Sequence, residues 1–404
     1  MTQAIQPMTG GTITSPRGFL AGAVSAGIKP GTDRLDLALL FSTAPCAVAG
    51  VFTRNKVVAA PVLVSREHLA EGKSRAVVAN SGCANACTGT QGLDDARGMA
   101  ASVAAKLGLQ PQQVLVLSTG VIGVRLPMDR VREGIERVAL SPTGGSQLAQ
   151  AIVTTDTRTK EIGLAVDLGG MQAAIGGVAK GAGMIHPDMA TMLSVISTDA
   201  LVEPRYLQEA LKQAVELSFN MVSIDGDTST NDTVLILANG LARNTPIDAS
   251  SPDREAFQEA LNRVCLYLAR EVARDGEGAN CLIEVWVEEA ATREEARAAA
   301  RTIISSPLVK SAVHGADPNW GRVLAALGRS GAQVEESRLS VFVGDICVLK
   351  DGQPQPFDVE AARQVLQQPE VVLRVRMGLG RGEARAWGCD LTEEYVRINS
   401  AYTT

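Results

Sequence analysis

Aromatic residues are scarce in this chain of 404 residues, where Phe, Trp and Tyr together make up 3%. Its interior must therefore be filled by Ala, Val, Leu and Ile, which a hydrophobic content of 46% supplies. Long apolar runs are missing too, and no window approaches the ~18 residues of a membrane-spanning helix. The one stretch that could pass for a secretory signal, Phe19 to Ala26 behind Arg17, is short, broken by glycine and weakly flanked by basic residues. No cluster of Lys and Arg is long enough to track a phosphate backbone, and the formal net charge is -6, so nucleic acid and membrane are both excluded as expected partners. Small molecules are the expected ligands.

Histidine is rarer still: His68, His186 and His314 stand far apart, and Cys83-x3-Cys87 has no second pair beside it, so no metal site is expected. The seven cysteines are scattered and odd in number, which argues against a disulfide framework and for a reducing compartment, the cytoplasm. Glycine, by contrast, is plentiful at 39 residues, pointing to many tight turns and close backbone approaches. A chain of this length is expected to form two or three structural units that share an interior.

The periodicity is mixed α/β. Leu35 to Phe41, Ala47 to Phe52 and Ala76 to Asn80 read as strands, Asp94 to Leu107 as a helix stopped by Gly108, and Val114 to Leu117 as a short strand running into Ser118-Thr119-Gly120. Further strands are expected at Ile162 to Val166 and Gly170 to Lys180, then a loop from Gly181 to Met189 and an apolar run from Met192 to Ile196. Pro204 opens a helix to about Phe219, and Ser251-Pro252 caps another that ends at Asp275-Gly276, which leaves Glu277 just past a helix terminus. Leu282 to Val287 alternates as a strand, Thr292 with Glu295 forms a capping box for a helix reaching Ile304, and Val371 to Met377 with Glu383 to Cys389 reads as a hairpin. Helical hairpins are not expected.

Several familiar motifs fail on their own terms. Gly378-Leu379-Gly380-Arg381-Gly382-Glu383 superficially matches a dinucleotide fingerprint, yet it ends in Glu and no amphipathic helix follows. Asp225 to Asp232 looks like the start of a calcium loop, but Thr230 and Ile236 occupy the positions of the required Gly and Glu, so a hydrogen-bonded Asx or Ser/Thr turn is the reading. No Gly-x-Ser-x-Gly elbow is present for a serine hydrolase.

One segment stands apart: Lys180-Gly181-Ala182-Gly183-Met184-Ile185-His186-Pro187-Asp188-Met189-Ala190-Thr191-Met192-Leu193. It resembles the cleavage segment of the ornithine acetyltransferase (glutamate N-acetyltransferase) family. Other matching stretches follow in the family's order: Pro16-Arg17-Gly18-Phe19, Asn80-Ser81-Gly82, Ser118-Thr119-Gly120-Val121-Ile122-Gly123, Ile224 to Asp232, and Gly315-Ala316-Asp317-Pro318-Asn319-Trp320-Gly321-Arg322. The resemblance covers essentially the whole chain. Cys83 departs from it, since the family more often has Asn there, which leaves the local hydrogen bonding open.

By this resemblance the chain cuts itself between Ala190 and Thr191, giving 1–190 and 191–404, the second with a smaller C-terminal α/β portion over about 285–404. Chemistry supplies a reason. A threonine hydroxyl is a poor nucleophile without a base, and a mature N-terminal Thr carries one in its own α-amine, whose reference pKa is about 7.7 to 8.0. The resemblance further implies that the Thr119 hydroxyl and the Gly120 amide form an oxyanion hole, and that Thr154, Lys180, Thr191, Glu277, Asn399 and Thr404 bind substrate. Residue by residue, without that resemblance, Thr191 starts a buried element, Thr119-Gly120 is a strand-to-loop turn and Lys180 is a solvated surface charge.

The fold so implied is an αββα-like layered sandwich of the self-processing type. The implied activity moves acetyl from N2-acetylornithine to glutamate through an acetyl-Thr191 ester, in arginine biosynthesis and without a cofactor, leaving acetyl-CoA open as a co-substrate. The implied assembly is a heterotetramer of two α and two β fragments. A self-processing N-terminal-nucleophile aminopeptidase or amidase of related fold is the alternative.

Overall fold

The computed structural model describes residues 5–29, 31–70, 72–186 and 192–401. Ala190, Thr191 and Thr404 lie outside them.

Two sheets packed face to face form the larger part. Strands Phe19–Val24, Leu37–Ser42, Ala76–Asn80 and Val114–Ser118 lie side by side in one sheet. Its last two strands are parallel, joined through the helix Gly89–Leu107. The other sheet orders Gln6–Pro7, Lys160–Leu168, Met171–Lys180, Leu193–Thr198, Thr233–Ala238 and Ala47–Phe52. Strand alternation builds three interiors from these two sheets. Leu115 and Leu117 point inward to meet Val178, Leu193, Val195, Leu235 and Leu237 of the opposite sheet. Val114 and Val116 point outward against Met99, Val103, Val131 and Ile135 of the helices Gly89–Leu107 and Met128–Arg137. On the far side, Ile175, Ile196 and Ile236 pack against Leu207 and Leu211 of Pro204–Leu217 and Phe257, Leu261, Val264 and Leu268 of Arg254–Arg274. The layers are therefore helix, sheet, sheet, helix, as expected.

A third sheet, built mainly from the C-terminal part of the chain, shares that last core through Val285, Val287, Leu373 and Val375. Here the expected hairpin does not form. Glu370–Arg376 and Gly382–Cys389 lie in the same sheet, but Leu282–Ala290 runs between them, parallel to the first and antiparallel to the second. Its first four residues are all buried, whereas Glu370–Arg376 exposes both its ends, so the more apolar strand takes the interior place. The connection crosses its end, where the Leu379 and Gly380 amides donate to the Glu289 carbonyl at 2.8 and 3.0 Å.

Other differences are local. The first helix of the sequence reading begins at Gly89 rather than Asp94, because the Asn85 amide pins the Gly92 carbonyl at 2.8 Å in a turn poor in helix formers. Asp253, not Ser251, occupies the N-cap of Arg254–Arg274. Thr292 caps Arg293–Ile304 as expected, its hydroxyl accepting from the Glu295 amide at 3.2 Å. That helix is followed by Pro307–His314 and Gly321–Gly328 with no strand between, and Gly321–Gly328 packs back on Arg293–Ile304, so successive helices do pair where none were expected to.

Candidate active site

Strands Ala76–Asn80 and Val114–Ser118 end level with each other, Asn80 opposite Ser118. The loops that follow are stitched together, Cys83 bridging both Thr119 and Val121. Gly120 sits at φ +128°, and a Cβ there would lie 2.4 Å from the Gly82 carbonyl carbon and 2.6 Å from the Cys83 nitrogen. Only glycine fits that approach. A third loop locks the pair: the Asn231 side-chain amide donates to the Ala84 carbonyl at 2.6 Å and to the Ser118 carbonyl at 2.9 Å. The Gly120 amide has no acceptor among the described residues and borders a cavity that the Thr119 side also lines.

Lys180 closes the strand Met171–Lys180 on the same face as Val178. Val178 packs between the two sheets, so period-two alternation aims Lys180 into the open end of that layer. There its ammonium donates to the Thr154 hydroxyl at 2.8 Å and the Thr119 hydroxyl at 3.3 Å. The residue is only 8% exposed, against the surface charge that its sequence context alone suggested. Burial depresses its pKa, helped by the like charge of Lys160, while the Asp156, Glu277 and Asp232 carboxylates oppose the shift.

Behind Lys180 lies a buried ionic chain that the sequence reading did not single out. Lys160 donates to Asp156 at 2.6 Å and to Asp275 at 2.5 Å, all three screened from solvent. Asp156 also accepts the Gly181 amide at 2.7 Å and the Thr154 amide at 3.0 Å, and so holds the backbone on both sides of the Lys180 ammonium. Burial alone would raise the Asp156 carboxyl, but the Lys180 and Lys160 charges and these hydrogen bonds outweigh it and hold it well below the usual carboxylate range. Asp275 takes the Thr157 amide and hydroxyl as well, and it ends the helix two residues before Glu277.

Glu277 forms the opposite wall. Its amide donates to the Ala182 carbonyl at 2.8 Å, and its carboxylate accepts from the Asn399 side chain at 2.7 Å. Asn399 comes from the exposed C-terminal helix Glu393–Ala401. A Cβ on Gly183 would fall 2.5 Å from that carboxyl group, so a side chain at 183 and Glu277 compete for the same space. Asp232 completes the lining with Ser229, Thr230 and Asn231. The cavity is about 110 Å³.

Thr119, Gly120, Thr154, Lys180, Glu277 and Asn399 all line this one cavity, although they are spread from residue 119 to residue 399. It offers hydrogen-bond donors, a cation and carboxyl groups around one space. Such a lining suits a small zwitterion that presents a carbonyl group.

The ArgJ family model matches residues 20–404. This chain belongs to the ArgJ family. Among its relatives, an "Arginine biosynthesis bifunctional protein ArgJ" from Dehalococcoides mccartyi is 51% identical over 100% of both chains. Another of that name from Symbiobacterium thermophilum is 53% identical over 98% of this chain and 99% of its own. Of the solved structures, the ArgJ protein of Bacillus halodurans matches with a TM-score of 0.50 and 44% identity, covering 51% of this chain and 97% of its own.

Within this ArgJ-family site, two departures from the sequence reading have clear causes. Cys83, the position off the family pattern, is buried, and its thiol donates to the Val124 carbonyl at 3.1 Å while its own carbonyl accepts the Asn80 side-chain amide at 2.9 Å. Burial, foremost, pushes that thiol up and away from reactivity. The Asp156, Lys160 and Asp275 chain escaped notice because its members lie 115 residues apart at the widest hydrogen bond, and only Asp156 with Lys160, four apart, left any local trace. The Asx reading of the Asp225 segment holds: Asp225 accepts the Asp227 amide at 3.2 Å, and the Met184 and Ile185 amides besides.

Proposed function

We propose that this chain is a self-processing acetyltransferase of arginine biosynthesis, moving acetyl from N2-acetylornithine to glutamate. The convergence of Thr119, Gly120, Thr154, Lys180, Glu277 and Asn399 on one cavity carries the reading. In it, Thr191 becomes the amino terminus of a second fragment and its hydroxyl attacks the donor's amide carbonyl. The negative charge that develops on that oxygen is met by the Thr119 hydroxyl and the Gly120 amide, which has no acceptor among the described residues, a stabilisation whose loss typically costs about 10²- to 10³-fold in rate. Lys180 takes the substrate α-carboxylate, and Glu277, held by Asn399, takes the side-chain ammonium of acetylornithine. Ornithine leaves, the amine of glutamate attacks the acetyl-Thr191 ester, and N-acetylglutamate is released. Thr404 closes the pocket in this reading.

The cleaved protein is a heterotetramer of two fragments of each kind, working in the cytoplasm, with acetyl-CoA as a second donor and no bound cofactor. The length of the solved Bacillus halodurans chain supports scission, since nearly all of it matches only about half of this one.

Mass spectrometry of the purified protein tests the core of this proposal. It should show fragments of 190 and 214 residues, the second beginning Thr-Met-Leu-Ser, and Thr191→Ala should stay a single chain without exchange activity. Acetylornithine supplied without glutamate should release little acetate; release at the same rate with and without glutamate identifies an amidase instead.

A further inference from the structure

The proposed oxyanion hole and the chain next to Thr191 belong to different sheets. Thr119 and Gly120 follow the strand Val114–Ser118 in one, and Met192 leads into Leu193–Thr198 in the other. Acyl transfer needs the attacking hydroxyl and the oxyanion donors at a fixed separation, and a misplacement of about 1 Å can cost about 10² in rate. Apolar packing between the sheets is non-directional and does not by itself set that separation.

Residues 229–233 join the two sheets at this end. The Thr233 amide donates to the Met192 carbonyl at 2.9 Å, and the strand it opens, Thr233–Ala238, runs parallel to Leu193–Thr198. Two residues earlier the Asn231 side chain reaches the opposite sheet. Its amide nitrogen donates to the carbonyl of Ser118, directly before Thr119, at 2.9 Å, and to the Ala84 carbonyl, in the loop whose Gly82 and Cys83 crowd Gly120, at 2.6 Å. Both contacts stem from one hydrogen-bonded turn, in which the Thr233 hydroxyl donates to the Asn231 carbonyl at 3.0 Å and the Asn231 amide to the Ser229 hydroxyl at 3.1 Å.

Asn231 is 6% exposed and borders the cavity, yet its side chain has no donor left for a ligand. An Asn amide carries two N–H groups, and both are committed to these carbonyls. The Thr230 hydroxyl donates to its oxygen at 2.6 Å, which fixes the orientation, since the opposite one would set that oxygen against two carbonyls.

We propose that Asn231 is the positioning residue that sets the oxyanion hole at its working distance from the nucleophile. This rests on the acetyl-exchange reading above, in which Thr119 and Gly120 form that hole. Asn231 acts through the Ser118–Thr119 peptide, on whose orientation the Thr119 hydroxyl and the following Gly120 amide depend. The hole is engaged as charge develops rather than as substrate binds, so displacing it lowers kcat and leaves KM in place.

Asn231→Asp keeps the shape of the side chain and turns an oxygen on the carbonyls. Per Thr191 terminus counted by mass spectrometry, kcat for the exchange should fall about 10²-fold, with KM for acetylornithine and for glutamate little moved. Thr119→Val, which removes one donor of the hole, supplies the second arm. If Asn231 acts through the hole, the double variant should be no slower than Asn231→Asp alone, because the displaced hydroxyl has nothing left to lose. Losses that multiply in the double variant overturn the proposal. So does a raised KM at unchanged kcat, which makes Asn231 a substrate contact, or a lowered melting temperature at unchanged kcat, which makes the tie merely structural. Should Asn231→Asp fail to fold or to cleave, Thr230→Val removes only the hydroxyl that orients the amide and should show the same split at about tenfold, the scale of one hydrogen bond. An unchanged kcat there equally sinks the idea. Full activity of Thr119→Val would instead remove the oxyanion hole on which it rests.

Discussion

Glu277 occupies the space where a side chain on residue 183 would stand. This gives Gly183 a steric role, tied to the carboxylate on which the substrate's ammonium end is proposed to rest. Gly183→Ala should therefore displace Glu277 and break its contact with Asn399. The expected result is a raised KM for acetylornithine, by about tenfold for one weakened charge-assisted contact, with the melting temperature nearly unchanged. Steady-state kinetics beside thermal unfolding checks both halves. At this same scale, Thr119 and Gly120 were legible as a pair only through resemblance, because their joint placement depends on Asn231, more than a hundred residues later in the chain.

Among the elements, the strand Met171–Lys180 shows how regular structure delivers a functional group. Its alternation puts Lys180 between the sheets, and the loop at residues 153–159 then supplies both its hydroxyl partner, Thr154, and the counter-charge behind it, Asp156. Asp156 is held low, so its contribution to stability is present above the unfolded carboxyl value of about 3.9 and is lost only as pH falls through the lower folded value. Asp156→Asn removes a partner of a buried Lys, a change that typically costs about 3 to 5 kcal/mol. Its unfolding midpoint should thus lie well below that of the unaltered protein at pH 7, with the gap narrowing as the pH is lowered past about 4. A gap that stayed constant with pH would mean the carboxyl is not ionised in the fold.

For the whole molecule, the sheet order matters most. The strands Leu193–Thr198 and Thr233–Ala238 lie between Met171–Lys180 and Ala47–Phe52, so segments from either side of the proposed scission point alternate within one sheet. Cutting the chain leaves those ladders and the cores on both faces intact. The two fragments should accordingly coelute in gel filtration under native conditions and part only in denaturant, which size-exclusion chromatography of fully cleaved protein will show. Among the described residues no helix is long and apolar enough to cross a membrane.

Local patterns in the sequence determined much of this protein: most strand and helix positions, the mixed α/β class, the Thr292 cap and the Asx turn at Asp225 follow from periodicity and side-chain chemistry acting over a few residues. The distinctive run from Lys180 to Leu193 pointed to the family. Tertiary structure alone decided which strands became neighbours, and it replaced the expected hairpin with a sheet in which Leu282–Ala290 takes the middle. It also buried Lys180 and assembled the Asp156, Lys160 and Asp275 chain. The reason is physical: backbone preference is set by near neighbours, whereas burial and charge depend on which distant segments exclude water from a group.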